Sequence, residues 1–241
     1  MTLDDILTSL FPKGHDVAND KGVLLGSAPL QSGGSAVVIG VAGRTPLGVD
    51  EAIRLSRHVL DAVEQGGEGP ILVLVDSDSQ RMSKRDELLG LNEYLAHLAK
   101  CLIYADMQGR PTVGVLYGHS AAGAFLATAA PTRALVALPG ADPAVMDLPS
   151  MSRVTKLSID VLKEKAKSTP VFAPGLDNMV QTGAVLAVWD EKISLAEQLE
   201  SLLKDARESG DRRDHLGKIR NGRPKAADIA ERAHDLALQS S

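Results

Sequence analysis

The sequence predicts an α/β fold, a mostly parallel sheet covered by helices. Short continuous apolar runs, Ile71–Val75, Thr112–Leu116 and Ala134–Leu138, alternate with helical patterns, the arrangement of strands buried on both faces. Apolar residues make up 44% and charged residues 24% of the 241 residues, a globular balance. At this length folding buries about 70% or more of the unfolded surface. Phe, Tyr and Trp number 3, 3 and 1, so Val, Leu, Ile and Ala must build the core.

Leu3–Leu10 carries apolar residues at helical spacing behind Thr2, a capping residue, and reads as a short amphipathic helix. Gly22–Leu30 and Ser35–Val41 are extended segments joined by the Ser32-Gly33-Gly34 turn, a hairpin or adjacent strands. The alternation then begins. Val49–Gln65 is helical, Ile71–Val75 a strand, Arg85–Met107 a long helix and Thr112–Leu116 a strand. Ser120–Ala129 follows as a helix and Ala134–Leu138 as a strand. Beyond about residue 150 the chain reads as helical through Ile159–Lys167, Leu195–Glu208 and Ala226–Leu238. Pro170, Pro174 and the Gly210–Gly222 stretch interrupt it, and Val185–Trp189 is the strand evident there. These helices must cover the sheet or dock on another subunit, because each has an apolar stripe to bury. With no repeat and no interdomain linker, residues 1–241 read as a single domain whose C-terminal part, about 150–241, is helical.

Composition removes several function classes. The one cysteine, Cys101, forms no intrachain disulfide or multi-thiolate zinc site, and no apolar leader follows Met1, which points to the cytoplasm. The longest apolar runs, Ala36–Ala42 and Ile71–Val75, fall far short of the roughly 20 residues of a membrane helix. The net charge of −5 and the few aromatics argue against nucleic acid. His15, His58, His97, His119, His215 and His234 show no metal-ligand spacing. Asp76 and Asp78 are the close carboxylates at a strand end, which either bind a cation or solvate a turn. No Gly-x-Gly-x-x-Gly or Walker A loop is present, so no nucleotide cradle is expected.

The most informative stretch runs from Pro111 through the strand ending at Tyr117, then Gly118-His119-Ser120-Ala121-Ala122-Gly123-Ala124, into an Ala- and Leu-rich helix. Helix N-termini present free N–H groups, and small residues let a substrate oxygen reach them, which is how an oxyanion hole is built. Each residue also has a plainer reading. Ala121, Ala122 and Ala124 can be small for packing, Gly118 can serve a positive-φ turn, and His119 and Ser120 can be a cap and its neighbour. Gly118-His119-Ser120-Ala121-Ala122 further approximates a nucleophile elbow with Ala122 in place of its last glycine. That alternative makes the chain a serine hydrolase with Ser120 as nucleophile and Asp190 with His215 or His234 as partners. The glycines of the usual oxyanion loop are missing from the N-terminal part.

The helix over Val49–Gln65, Pro70-Ile-Leu-Val-Leu-Val-Asp76, the Arg85–Ala105 helix, Arg110-Pro-Thr-Val, the Ala122-Gly-Ala-Phe125 turn and Arg133–Met146 together resemble the C-terminal half of acyl-CoA carboxyltransferases. Over nearly the whole chain the sequence resembles the gamma-subunit family of biotin-independent malonate decarboxylases. The resemblance implies a crotonase-like superhelix of strands and helices, with the active site between subunits. It also implies a beta-subunit partner, in a heterodimer or higher heteromer, and decarboxylation of malonyl-S-acyl-carrier-protein to the acetyl thioester and CO2. The thioester would ride on a coenzyme-A-derived group of an acyl-carrier-protein subunit, with no cofactor or metal bound directly by this chain. Such chemistry needs N–H donors for the enolate oxygen, and removing one donor from such a site costs about 3 kcal/mol, roughly a hundredfold in rate.

By the same resemblance Gly123 and Ala124 would form the hole, which serves the biotin carbonyl in related carboxyltransferases and, with no biotin implied here, would hold the thioester oxygen, the substrate carboxylate or a water. By their chemistry, Ser120 is the candidate to orient a carboxylate and His119 the candidate to protonate the enolate carbon. Gly118, Ala121 and Ala122 would line the substrate site. The sequence departs from the family at Asp76-Ser-Asp-Ser-Gln80, more polar than the family's glycine-rich turn, and at Ala122-Gly123, where carboxyltransferases have paired glycines. Lys163, Lys165 and Lys167, or Arg212, Arg213, Lys218, Arg220 and Arg223, are candidates for steering an acidic carrier protein. A non-catalytic scaffold subunit that completes its partner's fold is the remaining alternative.

Overall fold

The computed structural model describes residues 1–170, 174–206 and 211–239. Helix α1 (Leu3–Leu10) opens with the expected cap, since the Thr2 hydroxyl accepts from Asp5 N–H while the Asp5 carboxylate accepts from Thr2 N–H. Strands β1 (Ala18–Asp20), β2 (Val23–Pro29) and β3 (Ser35–Arg44) form an antiparallel meander, so the hairpin reading holds and β1 is an addition. Helix α2 (Val49–Glu64) leads to β4 (Ile71–Ser77), which pairs parallel with β3.

The single helix expected over Arg85–Met107 is divided into α3 (Lys84–Leu88) and α4 (Leu91–Met107). Gly90 at φ +81° turns the chain between them, a conformation that glycine adopts without steric penalty. Strand β5 (Thr112–Ala121) pairs parallel with β4, helix α5 (Ala122–Thr128) follows, and β6 (Ala134–Ala137) returns parallel to β5. The short β7 (Asp142–Ala144), unexpected from sequence, pairs with the C-terminal end of β5.

Next come α6 (Leu148–Thr155), also unexpected, α7 (Ile159–Ala166), α8 (Leu176–Gln181) and β8 (Ala187–Val188), which pairs with β6 inside the segment read as a strand. Helices α9 (Leu195–Ala206), α10 (Arg213–Ile219) and α11 (Ala226–Gln239) end the described chain. The expected end of α9 at Glu208 lies outside the described residues. The Gly210–Gly222 stretch is not a plain break, because α10 forms within it. Gly217 lies so close to Thr182 that an added Cβ would sit 2.6 Å from that carbonyl oxygen.

Across the sheet the order is β1-β2-β3-β4-β5-β6-β8, and residues alternate between two cores. In β4, Ile71, Val73 and Val75 enter a cluster with Leu55 and Val59 of α2 and Leu98 and Leu102 of α4. Leu72 and Leu74 enter the opposite cluster, with Ile6 and Leu10 of α1 and Leu195 and Leu199 of α9. The continuous apolar run of β4 is therefore two interleaved faces, each covered by helices. Of the C-terminal helices, α9 covers the sheet. By contrast, α11 buries Ala227 and contacts chiefly α10. The arrangement brings the C-terminal ends of β3, β4 and β5 together at one edge, where the candidate residues lie.

Candidate functional site

Strand β5 does not stop at Tyr117. Its ladder continues because β7 pairs in register with it, His119 with Asp142, Ser120 with Pro143 and Ala121 with Ala144, while Ser77 of β4 faces Ser120 from the other side. The helix expected to start at Ser120 begins at Ala122, with Ala121 as its N-cap residue. His119 and Ser120 are strand residues, not a cap and its neighbour.

Asp76, near the end of β4, organises this edge. Its Oδ1 accepts the His119 N–H at 3.0 Å and its Oδ2 accepts the Arg44 N–H at 3.2 Å. Gly118 makes that approach possible, since a Cβ there would lie 2.2 Å from Asp76 Oδ1; close packing, not positive φ, explains this glycine. Asp78 pairs with the Arg44 guanidinium at 2.8 Å and holds it above its ordinary value. The two carboxylates thus have separate partners, and among the described residues no three His, Cys, Asp or Glu side chains are placed to hold a metal ion. Beside them Tyr117 donates to Val41 O at 3.4 Å, and burial together with Asp76 pushes its phenol up, so it stays neutral.

His119 is 21% exposed, and its Nδ1 lies 3.0 Å from Asp142 Oδ2. Ser120 is fully buried, and its Oγ has no hydrogen-bond partner. The nucleophile elbow requires an exposed hydroxyl on a strand-to-helix turn, bonded to a base. Ser120 instead lies within β5, sealed from solvent, and the proposed acid Asp190 accepts from its own loop at Lys192 N–H. The geometry of the serine hydrolase reading is absent.

At the turn itself Ala122 takes φ +49°, the left-handed region that favours glycine. The next N–H, that of Gly123, donates to Gln80 Oε1 at 2.9 Å. Gly123 is partly buried, and a Cβ on it would meet Gln80 Oε1 at 3.0 Å and Leu95 Cδ1 at 3.1 Å. Ala124 is fully buried within the core cluster, so its small size serves packing; Ala121 and Ala122 are partly exposed. Gln80 and Asp142 are the neighbours that sequence reasoning did not single out. Gln80 lay in the polar loop noted after Asp76, where the departure from a glycine-rich turn was the available signal. Asp142 gave none until its pairing with His119 was known.

The basic stretch is largely structural. Arg220 donates to the carbonyls of Val180, Val185 and Leu186, Arg223 to those of Thr182 and Arg213, and Arg213 to Asp211 and Ala130 O. Lys218 pairs with Asp228 and Lys167 with Glu164. These contacts fix α10 and the segment before β8 and give Arg213, Arg220 and Arg223 a structural role. A pocket of about 860 Å³ opens beyond β7, lined by Met146, Met151, Val154 and Met179 with Arg213 and Arg223 at its polar side. The seven candidate residues from Gly118 to Ala124 are not in its wall.

Comparison with known proteins places this edge in context. The family description for the malonate decarboxylase gamma subunit matches residues 42–237. The malonyl-S-ACP:biotin-protein carboxyltransferase of Malonomonas rubra is 30% identical over 154 residues, 60% of this chain. The chain covers 53% of that relative's length. A Pseudomonas malonate decarboxylase hetero-tetramer solved with coenzyme A superposes with a TM-score of 0.77 at 23% identity, covering 98% of both chains. The transcarboxylase 12S subunit superposes with a TM-score of 0.67 at 16% identity, covering 85% of this chain and 40% of that one. The fold is therefore the crotonase-like one shared by these enzymes, as the sequence resemblance implied.

Proposed function

The chain belongs to the malonate decarboxylase gamma-subunit family, and from that premise we propose that it completes, with a beta subunit, a site that decarboxylates a malonyl thioester. The substrate is malonyl-S-acyl-carrier-protein and the products are acetyl-S-acyl-carrier-protein and CO2. Support comes from the relatives, one named for a malonyl-S-ACP substrate and another solved as a hetero-tetramer with coenzyme A.

The observation that carries the reading is the hydrogen bond between Gly123 N–H and the amide oxygen of Gln80. An sp² oxygen on carbon, at 2.9 Å from a backbone donor, is the geometry that an acyl oxygen requires. Gln80 stands in for that oxygen. Loss of CO2 from a malonyl thioester shifts an electron pair into the C–C–O system and leaves negative charge on the thioester oxygen. A backbone donor fixed by β5 and α5 meets this charge without reorganising, which is how a preorganised dipole lowers a barrier. Substrate must displace Gln80, whose side chain comes from the segment after β4 and is partly exposed. His119, held at the same strand end, then delivers a proton to the enolate carbon. Ala124 N–H follows one residue on in the same first turn and is the second candidate donor.

Purified gamma chain, purified beta subunit and the two together should be compared for CO2 release from a malonyl thioester. The reading requires release from the pair and almost none from either alone. Equal release from the beta subunit by itself would reduce this chain to a scaffold.

A further inference from the structure

The proton-delivery role of His119 leaves open what orients its ring, and the pairing of β5 with β7 answers that. His119 and Asp142 are register partners across the parallel ladder, and Asp142 Oδ2 lies 3.0 Å from His119 Nδ1. On the other flank the His119 backbone N–H is held by Asp76 Oδ1 at 3.0 Å, an approach that Gly118 permits. The main chain and the ring are thus fixed by two different carboxylates from two different strands. Nε2 is the ring nitrogen left for a reacting atom, and the side chain retains 21% exposure, enough for one edge to meet a substrate.

We propose that Asp142 is a positioning residue for the decarboxylation, holding His119 with its proton on Nδ1 and Nε2 aimed at the enolate carbon. In the step, the N–H bond at Nε2 breaks and a C–H bond forms at the carbanion carbon. The imidazole becomes neutral, keeps the proton on Nδ1 in its hydrogen bond to Asp142, and recovers the lost proton from water. The charged groups around His119 are Asp142 on β7, Asp76 on β4, and the Arg44–Asp78 pair at the ends of β3 and β4; Arg44 also feels the charge of Asp142. The carboxylate of Asp142 is 64% exposed, so solvent weakens its pull.

This inference rests on the decarboxylase reading, and its test separates the two. In the beta–gamma complex, Asp142→Asn should lower kcat several-fold with KM within about twofold of wild type. In a His119→Gln background the same substitution should change nothing further. Independently of turnover, the ring ¹⁵N shifts of His119 should report a proton fixed on Nδ1 in the wild-type chain and a tautomer mixture in Asp142→Asn. An undiminished effect in the His119→Gln background or unchanged ring shifts would each overturn the positioning role. Failure of the wild-type complex to release CO2, with the ring shifts as expected, would overturn the decarboxylase reading and leave the Asp142–His119 pairing intact.

Discussion

The amide oxygen of Gln80 lies 2.9 Å from the backbone nitrogen of Gly123, joining the loop after β4 to the first turn of α5. The donor assigned to the reacting oxygen already holds one, so substrate and side chain compete for it. A competitor of this kind keeps the site satisfied when empty, since an unpaired N–H in a partly buried turn is unfavourable. It also weakens binding of whatever replaces it.

Gln80→Ala removes the competitor. The KM for the malonyl thioester should fall about fivefold, because one net hydrogen bond no longer has to be broken, and stability should fall by about 1 kcal/mol. Steady-state kinetics of the complex and urea unfolding of the variant measure both. A KM that stays at the wild-type value means that substrate never meets this N–H.

Ala122 holds φ +49°, which costs an L-residue roughly 1–2 kcal/mol that glycine avoids. Ala122→Gly should therefore raise the free energy of unfolding by about 1 kcal/mol, contrary to the usual effect of introducing glycine next to a helix. The urea midpoint reads this directly, and a lower midpoint would show that the turn is not strained there.

Acid stability has a clear contributor in Asp86, whose side chain is 1% exposed. The Ser83 hydroxyl above all, then Val49 N–H, Arg81 and Arg85, hold its carboxyl below the ordinary 3.8. With the folded value depressed, the unfolded chain takes up the proton first as pH falls. The stabilisation is thus complete well above 3.8 and lost as the pH drops through the folded value. Asp86→Asn should be less stable than wild type at pH 7 by about 1–2 kcal/mol, with the gap narrowing below pH 4. A gap independent of pH would point to lost packing alone.

Much of the fold was legible because burial leaves a periodic trace. The apolar runs of β3, β4, β5 and β6 and the cap at Thr2 are local signals, and the structure keeps them. What escaped depends on distant partners. β5 runs on to Ala121 because β7 pairs with it, and no property of Gly118–Ala121 alone announces that. Gly90 was visible, yet a glycine within a helical pattern does not say that one helix ends and another begins there. At the site, Gly123 was found through the rule that helix starts offer free donors, whereas Gln80 as its acceptor required the meeting of segments 43 residues apart. The arginines of α10 and its flank looked like a surface patch by count; in the fold they close carbonyls around β8 and α8.

The most direct measurement is CO2 release from a malonyl thioester by the beta–gamma complex carrying Gly123→Pro. Proline is tolerated in the first turn of a helix and removes the N–H at issue, while its ring also presses on Gln80 Oε1 and Leu95 Cδ1. Turnover should drop about a hundredfold while the complex still elutes as a heteromer by size-exclusion chromatography. Wild-type turnover from an assembled Gly123→Pro complex would contradict the claim that this backbone donor holds the charge of the reacting acyl group.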